Sequence, residues 1–127
     1  MAYPADFKYT KEHEWIKVEG NTGTIGITDH AQEALGDIVF VELPKPGAKL
    51  ESGKSFGTVE SVKAVSDLFA PVAGTVTEVN GDLATSPEKV NSEPHKAWMV
   101  KVTLSNPSEV GSLLSAADYE KFVAEEK

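Results

Sequence analysis

Residues 56–74 read Phe56-Gly57-Thr58-Val59-Glu60-Ser61-Val62-Lys63-Ala64-Val65-Ser66-Asp67-Leu68-Phe69-Ala70-Pro71-Val72-Ala73-Gly74 and hold one lysine between two β-prone arms. The arms cover residues 55–62 and 64–69, and Pro71 ends the second arm because proline cannot donate to a strand ladder. If the arms pair as a hairpin, Lys63 lies at its tip and its amine projects into water. From position alone, such a lysine is either an ordinary solvated turn residue or an amine presented to another protein.

Short β-prone segments lie on both sides of this hairpin, and glycine and proline turn signals separate them. These segments cover residues 14–18, 22–27, 37–43, 75–79 and 97–104. Many short strands with such turns between them predict a mainly β architecture, either a sandwich or a flattened barrel.

One short helix is predicted between the strands. Thr28 or Asp29 is placed to cap it, it runs through Leu35, and Gly36 follows its end. The later stretch 83–96 is polar, contains two prolines and predicts irregular structure.

The tail of the chain changes to a helical pattern. Asn106 and Pro107 form a helix-start signal, and Ser115 begins a second one. The apolar side chains that follow Ser115 recur at three- and four-residue spacing, which is typical of one helix face. We therefore expect one domain over residues 1–127, with a helical C-terminal addition over 106–127.

Charge and composition disfavour several classes of function. The 127 residues include 20 acidic and 12 basic side chains, giving a formal net charge of −8, and every basic residue is a lysine. Nucleic-acid binding needs a basic surface and usually arginine forks, so that class is disfavoured. No apolar run approaches the length of a membrane span. Partners with basic docking surfaces suit this charge.

Catalytic and metal-binding patterns are missing from the sequence. The chain has no cysteine, which excludes disulfides and thiolate chemistry, and its histidines are His13, His30 and His95. No histidine pair has the spacing of a zinc site, and no nucleophile elbow or phosphate-binding loop occurs. We therefore predict no catalytic residue and no metal site, and any redox chemistry must come on an imported group.

The segment around Lys63 resembles the attachment site of lipoyl domains. The resemblance rests on Glu60-Ser61-Val62-Lys63-Ala64, followed by Ala70-Pro71-Val72-Ala73-Gly74. Biotinyl carriers are similar overall but place their lysine between methionines, whereas the neighbours here are valine and alanine. The resemblance therefore implies lipoate rather than biotin, joined by an amide to Lys63.

Blocks far from Lys63 narrow the resemblance to glycine cleavage H proteins. The matching blocks are residues 9–15, 26–32, 36–44, 91–92, 98–99 and 113–122. Acyltransferase lipoyl domains share the hairpin but lack the blocks around His13 and His30. The chain is thus identified as a member of the glycine cleavage H-protein family, which implies a lipoyl/biotinyl-type flattened barrel-sandwich hybrid with short helices and a C-terminal helix.

The resemblance implies a carrier and not an enzyme. A lipoyl ligase or transferase would attach lipoate to Lys63, with Glu60 and Asp67 as flanking recognition residues, and the resulting arm reaches about 12–15 Å. The P protein (glycine decarboxylase) would load an aminomethyl group from glycine. The T protein (aminomethyltransferase) would pass the one-carbon unit to tetrahydrofolate, and the L protein (dihydrolipoamide dehydrogenase) would reoxidise the arm.

The loaded arm carries an ammonium group, and we expect a groove on the domain to hold it with carboxylates. Glu14 matches the family motif and is the first choice for this contact, followed by Glu12 and Asp67. His30 is a candidate for orienting the short helix near the arm. By residue type alone, Glu12, Asp67 and His30 are equally explained as solvated, capping or packing residues. Ala34 departs from family members that carry a polar residue there.

The remaining expectations concern an alternative function, the location of the protein and its oligomeric state. The alternative function is a lipoyl donor or relay protein with little role in glycine breakdown. The N-terminus shows no secretory signal and no arginine-rich transit segment, so a bacterial-type cytoplasmic protein is expected, or one from the mitochondrial matrix if the chain is a processed organelle protein. We also expect a monomer that binds its partners transiently.

Overall fold

The computed structural model describes residues 3–126, and it describes the side chains of residues 3–125. Within this range, nine strands form two sheets in which every neighbouring pair is antiparallel. In chain order they are β1 (Phe7–Tyr9), β2 (Glu14–Glu19), β3 (Thr22–Ile27), β4 (Ile38–Glu42), β5 (Lys49–Leu50), β6 (Ser55–Ser61), β7 (Val65–Phe69), β8 (Gly74–Val79) and β9 (Val100–Leu104). The larger sheet has the order β1-β2-β3-β9-β8-β5, and the smaller one has the order β4-β6-β7.

Helical segments connect and follow the strands. They are α1 (Asp29–Leu35), α2 (Asp82–Thr85), α3 (Lys89–Ser92), a 3-10 helix (Pro107–Ser112) and α4 (Ala116–Glu126). The predicted mainly β fold with short helices and a C-terminal helix is confirmed. The two sheets stay separate and do not close into a barrel.

Helix α1 begins and ends where the sequence signals place it. The Thr28 hydroxyl accepts a hydrogen bond from the Ala31 backbone N–H at 3.2 Å, which satisfies one donor of the first turn. Gly36 follows the last residue with φ of +83° and donates its N–H to the Gln32 carbonyl at 2.9 Å. A residue without a Cβ suits this left-handed position.

The core consists of buried apolar side chains from both sheets. Ile16, Ile25 and Val102 belong to a cluster of the larger sheet, while Val59 and Leu68 belong to a cluster under the smaller sheet. Phe56 packs against both clusters and so joins them. The inner face of the small hairpin is therefore fixed to the body of the domain.

The stretch 83–96, predicted to be irregular, contains most of α2 and all of α3. Each of these helices has four residues and buries one apolar side chain, Leu83 or Val90, under the smaller sheet. A helix of four residues shows no helical periodicity in a sequence, because the apolar pattern needs more residues to repeat.

Other boundaries also differ from the prediction. Strands β1 and β5 were not predicted, since three and two residues are too few to show alternation. The last strand begins at Val100 and not at Ala97. After Asn106 the chain forms a 3-10 helix, and the Asn106 side chain does not cap it; instead it accepts a hydrogen bond from the Ser108 hydroxyl at 2.6 Å.

An aromatic cluster attaches the C-terminal segment to the first strand. Tyr9 and Leu114 exchange two backbone hydrogen bonds of 2.8 Å each, so residue 114 covers the outer edge of β1. The rings of Tyr9 and Tyr119 stack with centroids 4.8 Å apart, and Phe7 stacks on Trp15 at 4.5 Å. Full burial of aromatic side chains contributes about 1.5–3 kcal/mol each, so the cluster is a substantial part of the stability of this edge.

Candidate functional site

Lys63 lies at the tip of the predicted hairpin, which β6 and β7 form. Ser61 and Ala64 close the turn, with the Ser61 N–H donating to the Ala64 carbonyl at 2.7 Å and the Ala64 N–H donating to the Ser61 hydroxyl at 3.0 Å. Ser61 is buried and takes part in the turn, whereas Val62, Lys63 and Ala64 are exposed. The turn therefore projects the lysine while its own backbone is held by Ser61.

A second set of contacts fixes the tip to the body of the domain. The Val62 N–H donates to the Asp37 carbonyl at 3.0 Å. The Lys63 side chain lies over Gly36, because a Cβ added to that glycine would be 3.4 Å from Lys63 Cε. The turn that carries Lys63 thus rests on the segment between α1 and β4.

Asn91 of α3 holds that supporting segment in place. Its amide nitrogen donates to the Gly36 carbonyl at 2.8 Å and to the Gln32 side chain at 2.9 Å, and its oxygen accepts from the Ile38 N–H at 2.8 Å. The three bonds join α1, α3 and the start of β4. Sequence reasoning placed Asn91 in a family block but did not identify this contact, because nothing in the local pattern reveals its distant partners.

At the opposite end of the hairpin, Glu14 is a buried carboxylate. Only 2% of its surface is exposed. Its Oε1 accepts a hydrogen bond from the Thr10 hydroxyl at 2.6 Å, and its Oε2 accepts from the Phe69 N–H at 3.2 Å. Glu14 therefore links β2 to the end of β7 by a side chain.

Burial raises the pKa of Glu14 to about 7, because the surroundings disfavour the charged carboxylate. The hydrogen bonds from Thr10 and Phe69 act in the opposite direction and lower the pKa. The nearby Glu12 charge raises it further. A cation brought beside Glu14 would favour its charged form, so this residue suits the recognition of an ammonium group.

An open cleft of about 290 Å³ lies beside Glu14. Its lining residues are Thr10, Glu12, Glu14, Ser52, Gly53, Phe69, Ala70, Pro71 and Leu113. Of the predicted groove contacts, Glu14 and Glu12 meet here, with Glu12 exposed and Glu14 buried. Apolar walls with two carboxylates fit a hydrocarbon arm that ends in a cation.

The cleft lies near the outer limit of an arm attached to Lys63. Phe69 is six residues beyond Lys63 along β7, and six residues of extended strand advance about 20 Å. An arm of about 12–15 Å, with the bonds of its load and the contact distance to the carboxylate added, spans that length only when fully extended. The arm would reach Glu14 only when stretched along the hairpin.

The remaining candidates lie elsewhere. Asp67 is exposed on β7 opposite Thr58, on the outer face of the small sheet, and Glu60 lies opposite both Phe40 and Val65. Neither residue lines the cleft.

His30 does not line the cleft either. Its ring centroid is 4.5 Å from that of His13, and His13 Nδ1 is 2.7 Å from the Tyr119 hydroxyl. That hydroxyl is in turn 2.8 Å from Thr28 Oγ1, the cap of α1. The structure therefore places His30 in a cluster that joins α1 to α4.

The described part of the chain has neither a metal-binding cluster nor a membrane-spanning helix. Between residues 3 and 126, no three His, Asp or Glu side chains are grouped so that they could hold a metal ion. Within the same range, no helix has both the length and the apolar character needed to cross a membrane.

Comparisons with known proteins agree over almost the whole chain. The family profile described as glycine cleavage H-protein matches residues 7–126. The glycine cleavage system H protein of Koribacter versatilis is 75% identical over 126 residues, covering 99% of this chain and 98% of the relative. The protein of the same name from Acidobacterium capsulatum is 64% identical over 126 residues, with the same coverage of both chains.

A solved structure extends the agreement to the fold. The crystal structure of a glycine cleavage system H protein from Mycobacterium marinum superposes with a TM-score of 0.88 at 40% identity, covering 96% of this chain and 99% of that one. Its agreement with the two-sheet architecture, together with the family profile and the two bacterial relatives, shows that the chain belongs to the glycine cleavage H-protein family.

Proposed function

We propose that Lys63 carries lipoate in amide linkage and that the chain moves the aminomethyl group of glycine from the P protein to the T protein. It then presents the reduced arm to the L protein. Membership of the H-protein family gives the chain the role of lipoyl carrier in glycine cleavage. The proposal adds that Lys63 is the attachment residue and that the P, T and L proteins act on the arm in that order.

The observation that carries the proposal is the placement of Lys63. An exposed lysine on a two-residue turn, held by Ser61 and by Asp37, gives another enzyme access to the amine without unfolding of the domain. The bound group supplies a disulfide that is reduced and reoxidised while it carries the one-carbon unit. The contribution of the chain is to project, hold and release the arm.

Carboxylates near the hairpin have two proposed tasks. Glu60 and Asp67 flank the lysine on the outer face and are recognition residues for the lipoyl ligase or transferase. Glu14, with Glu12 at the rim, holds the ammonium of the loaded group inside the cleft, where Phe69 and Pro71 reduce access of water. His30 acts only through α1, whose position it helps to set.

The charge of the chain suits brief visits to several partners. The net charge of −8 favours docking on basic surfaces, and association steered by charge does not require a tight complex. A monomer with transient contacts is consistent with a shuttle, because slow dissociation would limit turnover.

Intact-mass measurement tests the attachment site. Wild-type protein treated with lipoyl ligase, ATP and lipoate should gain one lipoyl increment, and Lys63→Arg should gain none. Lys54→Arg is the matched control, since Lys54 is an exposed lysine just before β6 and should leave the increment unchanged. An unmodified wild-type chain, or a modified Lys63→Arg chain, would contradict the proposal.

A second assay tests the shuttle against the relay alternative. With lipoylated protein and P protein, the exchange of bicarbonate into glycine should depend on this chain and disappear with Lys63→Arg. Efficient transfer of the lipoyl group to other proteins without such exchange would favour the relay function.

A further inference from the structure

The exposed apolar side chains of this protein gather at one place. Among the described residues, four large apolar side chains stand out as exposed, with 75% of Val62, 66% of Val65, 53% of Val39 and 49% of Phe40 accessible. We call these four residues the tip patch. Single exposed apolar residues are normal on a surface, but a contiguous group is typical of an interaction site.

Strand register shows why the four residues are neighbours. Phe40 lies opposite Glu60, and Glu60 lies opposite Val65, so these three form one row across the outer face of the smaller sheet. Side chains directly opposite in a sheet are about 4.5–5.5 Å apart. Val39 occupies the register shift between Ile38 and Phe40 at the same end of the sheet. Val62 is in the turn itself, so the tip patch surrounds Lys63.

The tip patch has an acidic border. The next row along the same face is Glu42, Thr58 and Asp67. With Glu60, this places three carboxylates on the three strands, which contain no lysine or arginine. The apolar residues of the tip patch therefore lie on both sides of Glu60, and Glu42 and Asp67 form a negative border beside them.

We propose that the tip patch is the docking surface for the enzyme that attaches lipoate to Lys63, and that this enzyme presents an apolar active-site entrance bordered by lysine or arginine. The inference rests on the proposed function, because it requires Lys63 to be the attachment site. The attaching enzyme must bring the lysine amine itself to its reacting atoms, so it covers the residues beside Lys63. An enzyme that acts on the far end of the arm works about 12–15 Å away, so its reacting atoms do not have to come close to the tip patch.

The reaction served by this docking is an acyl transfer. The neutral Lys63 Nζ attacks the acyl carbon of lipoyl-adenylate, a C–N amide bond forms, and the C–O bond to the phosphate breaks. AMP leaves with the electron pair of that bond, and the nitrogen loses a proton to solvent. The tip patch takes no part in these bonds, and its contribution is to binding of the acceptor protein.

Steady-state lipoylation by a lipoate–protein ligase, with lipoyl-adenylate saturating and the apo chain varied, tests the proposal. The double variant Val62→Thr/Val65→Thr keeps side-chain shape and strand propensity, so it should fold. We expect the KM for this acceptor to rise about tenfold with little change in kcat, because the variant loses a modest apolar contact with the ligase. Val18→Thr, a partly buried valine on β2 of the other sheet, is the matched control and should retain the wild-type KM.

The salt dependence of KM distinguishes the contribution of the apolar side chains from that of the acidic ones. Raising ionic strength should increase the wild-type KM, because charge attraction across an interface is screened. Glu42→Gln/Asp67→Asn should lose much of this salt dependence, whereas Val62→Thr/Val65→Thr should keep it. Glu19→Gln/Glu78→Gln, at two exposed positions of the larger sheet, makes the same change in net charge and should behave as wild type.

Two results would overturn the docking proposal while leaving the attachment site intact. One is wild-type KM for Val62→Thr/Val65→Thr in a chain that is lipoylated at Lys63. The other is an equal rise in KM for Val18→Thr. Failure of the wild type to accept lipoate at all would instead contradict the proposed function.

Discussion

At the tip of the β6–β7 hairpin, the charged side chain of Lys63 is exposed and stands above a turn held by backbone and hydroxyl contacts. At the base of the same hairpin, the side chain of Glu14 is 2% exposed and accepts two hydrogen bonds. At the tip, the Lys63 amine is accessible to other proteins, whereas at the base the Glu14 carboxyl group is shielded from water.

The difference shows how one hairpin can serve both ends of a swinging arm. An exposed amine is easily reached and modified, and it needs a fixed backbone more than a specific pocket. A buried carboxylate has a raised pKa and gains from a cation that enters its cleft. The two ends depend on different residues, so each should respond separately to mutation.

Asn91→Ala should have the largest effect, and it should act on the tip. The change removes three hydrogen bonds and leaves the Ile38 N–H and the Gly36 carbonyl without this partner, at a cost of about 3 kcal/mol in the free energy of unfolding. Urea unfolding measures the loss. Asn80→Ala is the control for deleting an asparagine away from Lys63; it removes the bond to the Trp98 carbonyl and the one from the Asp82 N–H.

This substitution also tests the independence of the two ends. Lipoylation of Asn91→Ala should slow more than that of Asn80→Ala, while the pH dependence due to Glu14 should persist in both variants. Loss of that pH dependence in Asn91→Ala would mean that the tip and the cleft form one coupled unit.

The pH dependence of stability should report on the cleft. Because the folded chain raises the pKa of Glu14 from an ordinary 4.5 to about 7, it holds a proton that the unfolded chain releases above pH 4.5. The contribution to stability is complete below pH 4.5 and is lost as pH rises through about 7, which amounts to about 3 kcal/mol relative to Glu14→Gln. The free energy of unfolding of wild type and Glu14→Gln, measured from pH 4 to pH 9, gives this contribution. If the two free energies change with pH in parallel, the raised pKa of Glu14 is contradicted.

Glu14→Ala should shorten the lifetime of the aminomethyl-loaded protein. Loss of one charge-assisted contact to the ammonium predicts hydrolysis about tenfold faster. The release of formaldehyde and ammonia from loaded protein at pH 8 measures the rate. Glu12→Ala is the matched control, and its lifetime should change less because Glu12 is exposed. Equal lifetimes for Glu14→Ala and wild type would exclude the cleft as the resting place of the loaded arm.

Asp67→Asn should give the smallest effect. Asp67 is exposed on the outer face and does not line the cleft, so the lifetime of the loaded protein should change less than about threefold. The same hydrolysis assay applies. A change as large as that of Glu14→Ala would move the arm contact from the cleft to the outer face of the small sheet.

The parts of the fold that were predictable from sequence are those with local signals. Thr28 and Gly36 mark both ends of α1, and the alternation on either side of Lys63 marks the hairpin. Strand β5 and helices α2 and α3 escaped prediction, because two to four residues show no period. Their existence depends on burial against distant strands.

The candidate site likewise contains some residues that local sequence signals identify and others that depend on distant contacts. Lys63 could be placed at a tip by its flanking arms, and Glu14 could be nominated by resemblance. The burial of Glu14 beside Phe69 depends on the pairing of residues 55 positions apart, which no local pattern contains. The same holds for Asn91 and its partners in α1 and β4, and for the tip patch, which depends on strand register.

The bridge between Tyr9 and Leu114 has a consequence for how the chain is made. A ribosome produces β1 before the segment that covers its edge and stacks on Tyr9, and strands β2 to β9 are made between them. Until then the nascent chain exposes aromatic rings and unpaired strand edge. Emergence of residues 114–119 is therefore the event that covers this strand edge, and a chain that stops before residue 114 would expose it to chaperones and proteases.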